Sequence, residues 1–536
     1  MSNIGKPPCD EGVIRAGTSV NPCGPTSGPW ILAATILGSS MAFIDSTVVN
    51  VALPALQTNL HATALDVQWV VEAYALLLAA LLLVGGSLAD RYGRRLIFII
   101  GVGLFALSSI WCGLAPNINQ LIIARAVQGV GGALLVPGSL AIISASFEDE
   151  RRGQAIGTWS GFTAITTAFG PVLGGWLIEH VSWRAVFFLN LPLAVLVILI
   201  SLRHVPESRA ETEAKTQLDW TGAALVTAGL GGVVYGLIES SRLGFTHRLV
   251  LFTLIGGCIL LAVFLFVEAR TKNPMLPLEL FRSRNFTGAN LLTLFLYTAL
   301  GGVLFFLPLN LIQVQGYSAT AAGAATLPFV LIMFTLSRWS GGLFKRYGAR
   351  LPLICGPLIA ALGLTLFVMA GVGGSYWKTF FPAIVVLGLG MAVSVAPLTT
   401  TVMGSVAQDR AGVASGINNA VSRTAGLLAI AVFGIVMLQT FNSKLGERLN
   451  NLDVPPEARR SIDDQRVKLA GVEIPNNLNS ESKAALKRMI ADSFVQGFRL
   501  VMMIAVGLAL LSALVSWIMI DGKQVVTSPS EQFSQA

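Results

Sequence analysis

Three ionisable side chains sit where a sequence can least easily carry them. Asp45, Glu72 and Arg125 each fall inside a long apolar run. A charge held in hydrocarbon is costly, so such residues pair with one another or mark a path for ions and protons. A carboxyl group shielded from water is pushed towards its neutral form, and a nearby arginine pulls it back towards the charged one. Asp45 balanced in that way can load and release a proton. Arg125 stays charged throughout and can hold the ionised acid, then let it go. At 1.5 Å per helical residue, Asp45 and Glu72 lie within ~5 Å of the same depth, so one cavity can hold both as a coupled pair. A fixed Asp–Arg pair for Asp45, and a water-exposed rim position for Glu72, are the alternatives. The second half of the chain offers Arg338 and Arg423 in its apolar runs but no Asp or Glu.

The elements that carry these residues are membrane helices. The chain is 54% hydrophobic and 12% charged, against about 25% charged in soluble domains. Apolar stretches of about 20 residues, the length that spans hydrocarbon as a helix, fall at 30–53, 67–89, 96–115, 118–143, 153–178, 184–203, 219–239, 248–269, 288–312, 319–343, 351–370, 379–403, 411–440 and 494–520. An all-α integral membrane protein of fourteen spans is expected, because backbone amides in lipid must be satisfied within their own segment. Residues 1–29 read as a polar cytoplasmic tail without signal-peptide character, and 521–536 as a second cytoplasmic tail. The net charge of +8 does not point to nucleic acid. Arginine and lysine collect in alternate loops, Arg91, Arg94, Arg95, Arg151, Arg152, Arg282, Arg284, Arg346 and Arg350 among them, whereas the short loops between hold Arg184, Arg242, Arg248 and Lys378. That bias puts both termini inside. The segment 441–492 carries nine Lys and Arg and is the exception, as long loops can be. Cys9, Cys23, Cys112, Cys258 and Cys355 form no CxxC pair, and the four histidines are scattered, so no metal site is expected.

An internal repeat fixes the plan. Gly86-Ser87-Leu88-Ala89-Asp90-Arg91-Tyr92-Gly93-Arg94-Arg95 returns as Gly341-Gly342-Leu343-Phe344-Lys345-Arg346-Tyr347-Gly348-Ala349-Arg350. Glu150-Arg151-Arg152-Gly153 and its continuation have a counterpart at Asp409-Arg410-Ala411-Gly412. Aligning the hinges leaves about 80 residues between the halves, with two further spans inside them. The domains are therefore a six-helix half at 30–203, a linker at 204–287 with an inserted two-helix hairpin, and a six-helix half at 288–520 that includes an extracytoplasmic loop at 441–492. Parallel repeats of this kind characterise one transporter architecture.

The hinge at 86–95 resembles the signature loop of the major facilitator superfamily, and the whole of 30–520 resembles its fourteen-span drug:proton antiporters of the EmrB/QacA type. Phe43-Ile44-Asp45-Ser46-Thr47-Val48-Val49-Asn50-Val51-Ala52-Leu53-Pro54 is similar to that family's first-span motif, and Trp69 through Tyr74 to its second. Leu121 through Ala133, with Arg125, Gly129, Gly131 and Gly132, resembles the fourth. Gly170, Pro171, Gly174 and Gly175 belong to a string like the one that marks exporters. The resemblance implies a major facilitator fold and a proton-coupled antiporter that exports lipophilic or amphipathic compounds by alternating access. Asp45, Glu72 and Arg125 would couple protons. Gly86, Asp90, Arg91, Gly93 and Arg94 would serve the conformational change, with Asp90 latching against Ala411 and Gly412. Phe43, Trp69, Tyr74, Phe295, Tyr297 and Phe305 are a positional guess at the substrate cavity, and a neutral or singly cationic substrate is the expectation, with an anion left open by Arg423. A dedicated exporter of one metabolite, lipid or antibiotic is the nearest alternative, and an uptake symporter a weaker one. No P-loop, HExxH or GxSxG is present, so neither enzyme chemistry nor ATP drive is expected. No cofactor is implied beyond the proton gradient. The expected setting is a bacterial inner or plasma membrane, as a monomer, with an adaptor protein left open.

Overall fold

A computed structural model describes residues 27–147, 149–209, 219–271, 274–406, 411–450, 455–475 and 478–521, apart from the side chains at 149–154, 156–157, 160–161, 164, 167–168, 337–338, 341–345 and 411–412. Both tails, Asp409, Arg410, and the side chains of Arg338, Lys345, Ala411 and Gly412 thus lie outside the described residues. Among the described residues there is no strand. The first half holds α1 (Gly28–Asn59), α2 (Ala64–Tyr92), α3 (Arg94–Leu114), α4 (Ile118–Ser146), α5 (Asp149–His180) and α6 (Ala185–His204). The inserted hairpin is α7 (Trp220–Leu243) and α8 (Arg248–Glu268). The second half holds α9 (Arg284–Val314), α10 (Ala319–Ala325 continuing as Leu327–Tyr347), α11 (Arg350–Val368), α12 (Tyr376–Gly404), α13 (Ala411–Leu449) and α14 (Ser480–Met519). Thirteen of these are long and apolar enough to cross a membrane. The other, α5, is 32 residues long and packs along α1.

The helix ends are written locally. Thr63 and Asp66 form a capping box at the start of α2, the Asp66 carboxylate accepting from the Thr63 amide at 2.8 Å. This satisfies amide groups that the first turn leaves free. Gly93 ends α2 at φ +124°, and Gly348 ends α10 at φ +73°. Both positions need a residue without a Cβ. Each hinge also stacks its arginine on the tyrosine that follows, Arg91 on Tyr92 at 5.4 Å and Arg346 on Tyr347 at 5.3 Å. The sequence repeat is therefore a structural repeat.

The segment 441–492, whose charge and Pro455-Pro456 pair suit an aqueous, partly helical excursion, is helical in part, and two other segments differ from the sequence reading. Much of 441–492 is helical: α13 runs on to Leu449 and α14 begins at Ser480. Between them lie a short helix, Pro456–Asp464, and a 3-10 turn, Arg466–Gly471, whose Leu469 is buried at φ +56°. Aqueous exposure does not end a helix when its sequence continues to favour one. The tenth span is interrupted at Thr326. The ninth ends in a π turn, Asn310–Val314, just after Pro308, which removes a helical hydrogen bond there.

The two halves are clasped at the end of the bundle that carries this loop. Gln313 of α9 donates to Gln57 of α1 at 2.6 Å, and the Thr320 amide and hydroxyl of α10 both donate to Glu179 of α5 at 2.7 Å. The hairpin helix α7 packs on α2 of one half and on α13 of the other.

Candidate functional site

Asp45 and Arg125 meet in the core of the first half. Asp45 is 3% exposed and Arg125 1%, so the pair is sealed from lipid and water. One Arg125 terminal nitrogen donates to Asp45 Oδ2 and to Gln128 Oε1, the latter at 2.6 Å. Its Nε donates to the Val70 carbonyl at 3.0 Å. Gln128, one turn along α4 from Arg125, completes the ring: its Nε2 donates to Asp45 Oδ1 and to Ser109 Oγ, both at 2.9 Å. Asn190 of α6 donates to the same Asp45 oxygen at 3.4 Å and to Ser109 at 3.2 Å. Tyr74 stands over the guanidinium at 4.3 Å and Phe187 at 6.0 Å. Helices α1, α2, α3, α4 and α6 thus converge on one carboxylate that accepts from three side-chain donors.

A buried ion pair holds together only while every remaining donor and acceptor is satisfied, and the amides and hydroxyl of this ring supply those partners. Sequence reading named Asp45 and Arg125 for this site and Tyr74 only for a substrate cavity, and it did not name Gln128, Asn190 and Ser109. Amide side chains inside apolar runs are the signal that would have found the first two.

Glu72 does not join the Asp45 ring. It is fully buried, and neither carboxylate oxygen has a hydrogen-bond partner. Its neighbours along α2 show why. Trp69 packs on Tyr235 of α7 at 5.8 Å, and Leu76 lies against Gly231 of the same helix. Gln68 and Leu83 lie against Gly434 and Gly416 of α13. Helical spacing puts Glu72 between these two sets, on the side of α2 that faces α7 and α13. Asp45 is reached instead from the face that bears Val70 and Tyr74. Equal depth did not imply equal direction.

The six aromatic guesses also scatter. Tyr74 is in the ring, Trp69 is on the hairpin, and Phe43 packs against a cluster with Ile143 and Trp159. Phe305 is buried against Phe306 near the Gln57–Gln313 clasp, at a small cavity shared with Leu469. Tyr297 packs against the main core, and Phe295 is half-buried. Among the described residues these six make separate contacts.

The conformational residues are positioned by close helix approach. A Cβ on Gly170 would come within 2.5 Å of Thr47, and one on Gly174 within 2.5 Å of Val48, so α5 touches α1. Gly175 faces the other way: a Cβ there would lie 2.5 Å from the Ala319 carbonyl oxygen. Gly323 of α10 abuts the Pro171 carbonyl in return. This glycine string therefore joins the halves. At the hinge, Asp90 is half-exposed and accepts from Arg94 at 2.9 Å. Its expected partners Ala411 and Gly412 have no described side chains. Glu207 of the linker, missed in the sequence, accepts from the Arg95 and Leu96 amides at 3.1 Å each and caps α3. Gly86 is part-buried, near Pro137 of α4.

Known proteins share this organisation. The family model described as Major Facilitator Superfamily matches residues 35–430. The chain is 34% identical to the multidrug resistance protein Stp of Mycobacterium tuberculosis over 91% of both chains. It is 33% identical to the tetracenomycin C resistance and export protein of Streptomyces glaucescens over 92% of both. Among solved structures, a bacterial homologue of the human lysosomal transporter Spinster, inward-facing and unoccupied, superposes with a TM-score of 0.65 at 19% identity, covering 95% of this chain and 100% of that one. Two six-helix halves, a repeated hinge whose first copy resembles the family's loop, and a family match over residues 35–430 make this multi-pass membrane protein a member of the Major Facilitator Superfamily.

Proposed function

We propose that the protein is a proton-coupled secondary antiporter that exports lipophilic or amphipathic compounds, multidrug efflux in the broad sense, by alternating access. The observation that carries the reading is the sealed Asp45–Arg125–Gln128 ring. It is a two-state element: ionised and paired, or protonated and released. Such an element couples a proton to a conformational change only if the two arrangements favour different states of the bundle. The route from ring to halves runs through α1, because Thr47 and Val48 lie two and three residues from Asp45 and pack on the glycine string of α5 that meets α10. The resistance and export proteins among the relatives support the direction of transport. The reading needs no cofactor and no covalent chemistry, so the protein is not an enzyme. Both termini would be cytoplasmic in a bacterial inner or plasma membrane, with the segment 441–492 outside, and a monomer would suffice.

The test is transport in proteoliposomes under an imposed pH gradient, with a panel of lipophilic compounds. Uphill movement of at least one compound that stops when the gradient is collapsed is the expected result. Asp45→Asn should abolish it. Full pH-driven transport by that variant would sink the assignment.

A further inference from the structure

The geometry of α13 points to a second functional residue, Arg423. One flank of α13 touches α2, with Leu83 against Gly416 and Gln68 against Gly434. The other flank touches α9, where Asn418 donates to Asn290 and Thr293 at 3.1 and 2.7 Å and Thr298 reaches the Ala425 carbonyl at 3.3 Å. Between the two flanks lie Asn419, which is exposed, Ser422, which is half-buried, and Gly426, where an added Cβ would meet nothing within 4 Å. Helices α2 and α9 belong to opposite halves and α1 meets α9 at the clasp. The face of α13 between those two contacts therefore looks onto the seam between the halves. Arg423 stands at the α2 edge of it, on the same stripe as Gly416 and Gly434.

Its side chain is part-exposed, and among the described residues it makes no hydrogen bond or ion pair. A cation at that depth is expensive unless something neutralises it. The protein's own acids do not. Asp45 is committed to Arg125, and Glu72 has no accessible surface. The acids of α13 and α14, Glu447, Glu481 and Asp492, all lie at the loop end of those helices, away from Arg423. The seam thus presents a guanidinium with the Asn419 amide beside it, a set that matches a carboxylate or an acidic phenol; the Ser422 hydroxyl is spent on the Asn419 carbonyl at 2.8 Å.

We propose that Arg423 receives the acidic group of the exported compound, so that the preferred substrate is a lipophilic monoanion. This deepens the exporter reading and rests on it. It also replaces the sequence-based expectation of a neutral or cationic substrate, which treated Asp45 as free negative charge.

The test uses the purified full-length protein and two probes: a lipophilic fluorophore bearing one carboxylate, and its methyl ester. The wild type should bind the acid at least tenfold more tightly than the ester. Arg423→Gln should lose that preference while ester binding stays within twofold, and Arg423→Lys should keep part of it. Equal binding of both probes by the wild type, or a preference that survives in Arg423→Gln, would overturn the proposal. If Arg423→Gln does not fold, the wild-type comparison and Arg423→Lys decide. Export of the ester under a pH gradient without preference for the acid would leave the exporter reading standing and this one refuted. Tight, Arg423-dependent acid binding with no pH-driven transport of either probe would do the reverse.

Discussion

At the scale of single residues, the first half hides its charge and the second displays it. Asp45 and Arg125 are matched within a ring of amides and hydroxyls, so removing either one strands the other. Breaking a buried pair from one side costs about 3–5 kcal/mol. Asp45→Asn keeps an acceptor oxygen for Arg125, so its loss should fall at the lower end of that range, small enough to leave a folded protein. The expected outcome is a lowered melting temperature in detergent together with loss of uphill transport. An unchanged melting temperature would mean that the pair is not formed in the resting protein. Glu72 makes a useful contrast. Its carboxylate has no hydrogen-bond partner, so Glu72→Gln should cost little stability, within about 1 kcal/mol. A strong transport defect in a stable Glu72→Gln protein would give Glu72 a proton of its own, separate from the Asp45 ring.

At the scale of elements, glycines decide which helices can touch and a few polar side chains decide how they end. The Asp90–Arg94 pair is half-exposed at the hinge, and exposed pairs contribute about 0–1 kcal/mol. Asp90→Asn should therefore leave the melting temperature within a degree or two. A fall in turnover at unchanged substrate affinity is the result expected of a hinge that serves the conformational change. Weakened binding with normal turnover of bound substrate would remove that role. Gly175 carries the opposite kind of constraint. Any side chain there meets the Ala319 backbone, which cannot rotate away. Gly175→Leu should push α5 and α10 apart at the loop end and raise thiol reactivity of a cysteine placed at Gln313.

At the scale of the whole molecule, the halves are held together at the loop end by Gln57–Gln313, Glu179–Thr320 and the buried Leu469. Alternating access requires that clasp to open. Cysteines at Gln57 and Gln313, joined by a short bifunctional thiol reagent, should stop turnover, and cleaving the linker should restore it. Persistent transport in the cross-linked protein would mean that the loop end does not open. The native Cys258 and Cys355 are exposed and would need replacing first. A cysteine at Ser480 should then react with an impermeant reagent on intact cells if that end faces outside, and labelling only after permeabilisation would reverse the orientation. Charge movement gives a further check. A monoanion leaving as one proton enters moves two charges in the same sense, worth about 4.6 kcal/mol at 100 mV. An interior-negative potential should therefore speed export of the carboxylate probe more than that of its ester.

The sequence alone determined the elements and their plan. Apolar length specifies a membrane helix because lipid offers the backbone no other hydrogen-bond partner. A duplicated Arg-Tyr-Gly hinge specifies two halves because each copy needs the same left-handed turn. Asp45 and Arg125 were legible for a similar reason: a charge inside a span needs a partner. Tertiary structure alone decided direction. Glu72 sits near the depth of Asp45 yet points to α7 and α13. The aromatic residues expected in one cavity make separate contacts along the bundle. Gln128 and Asn190 join the site although neither carries a charge that would have marked it. Depth is read along one helix, where every residue adds 1.5 Å. The side a residue faces depends on which helices lie against it, and that is settled only when all of them have packed.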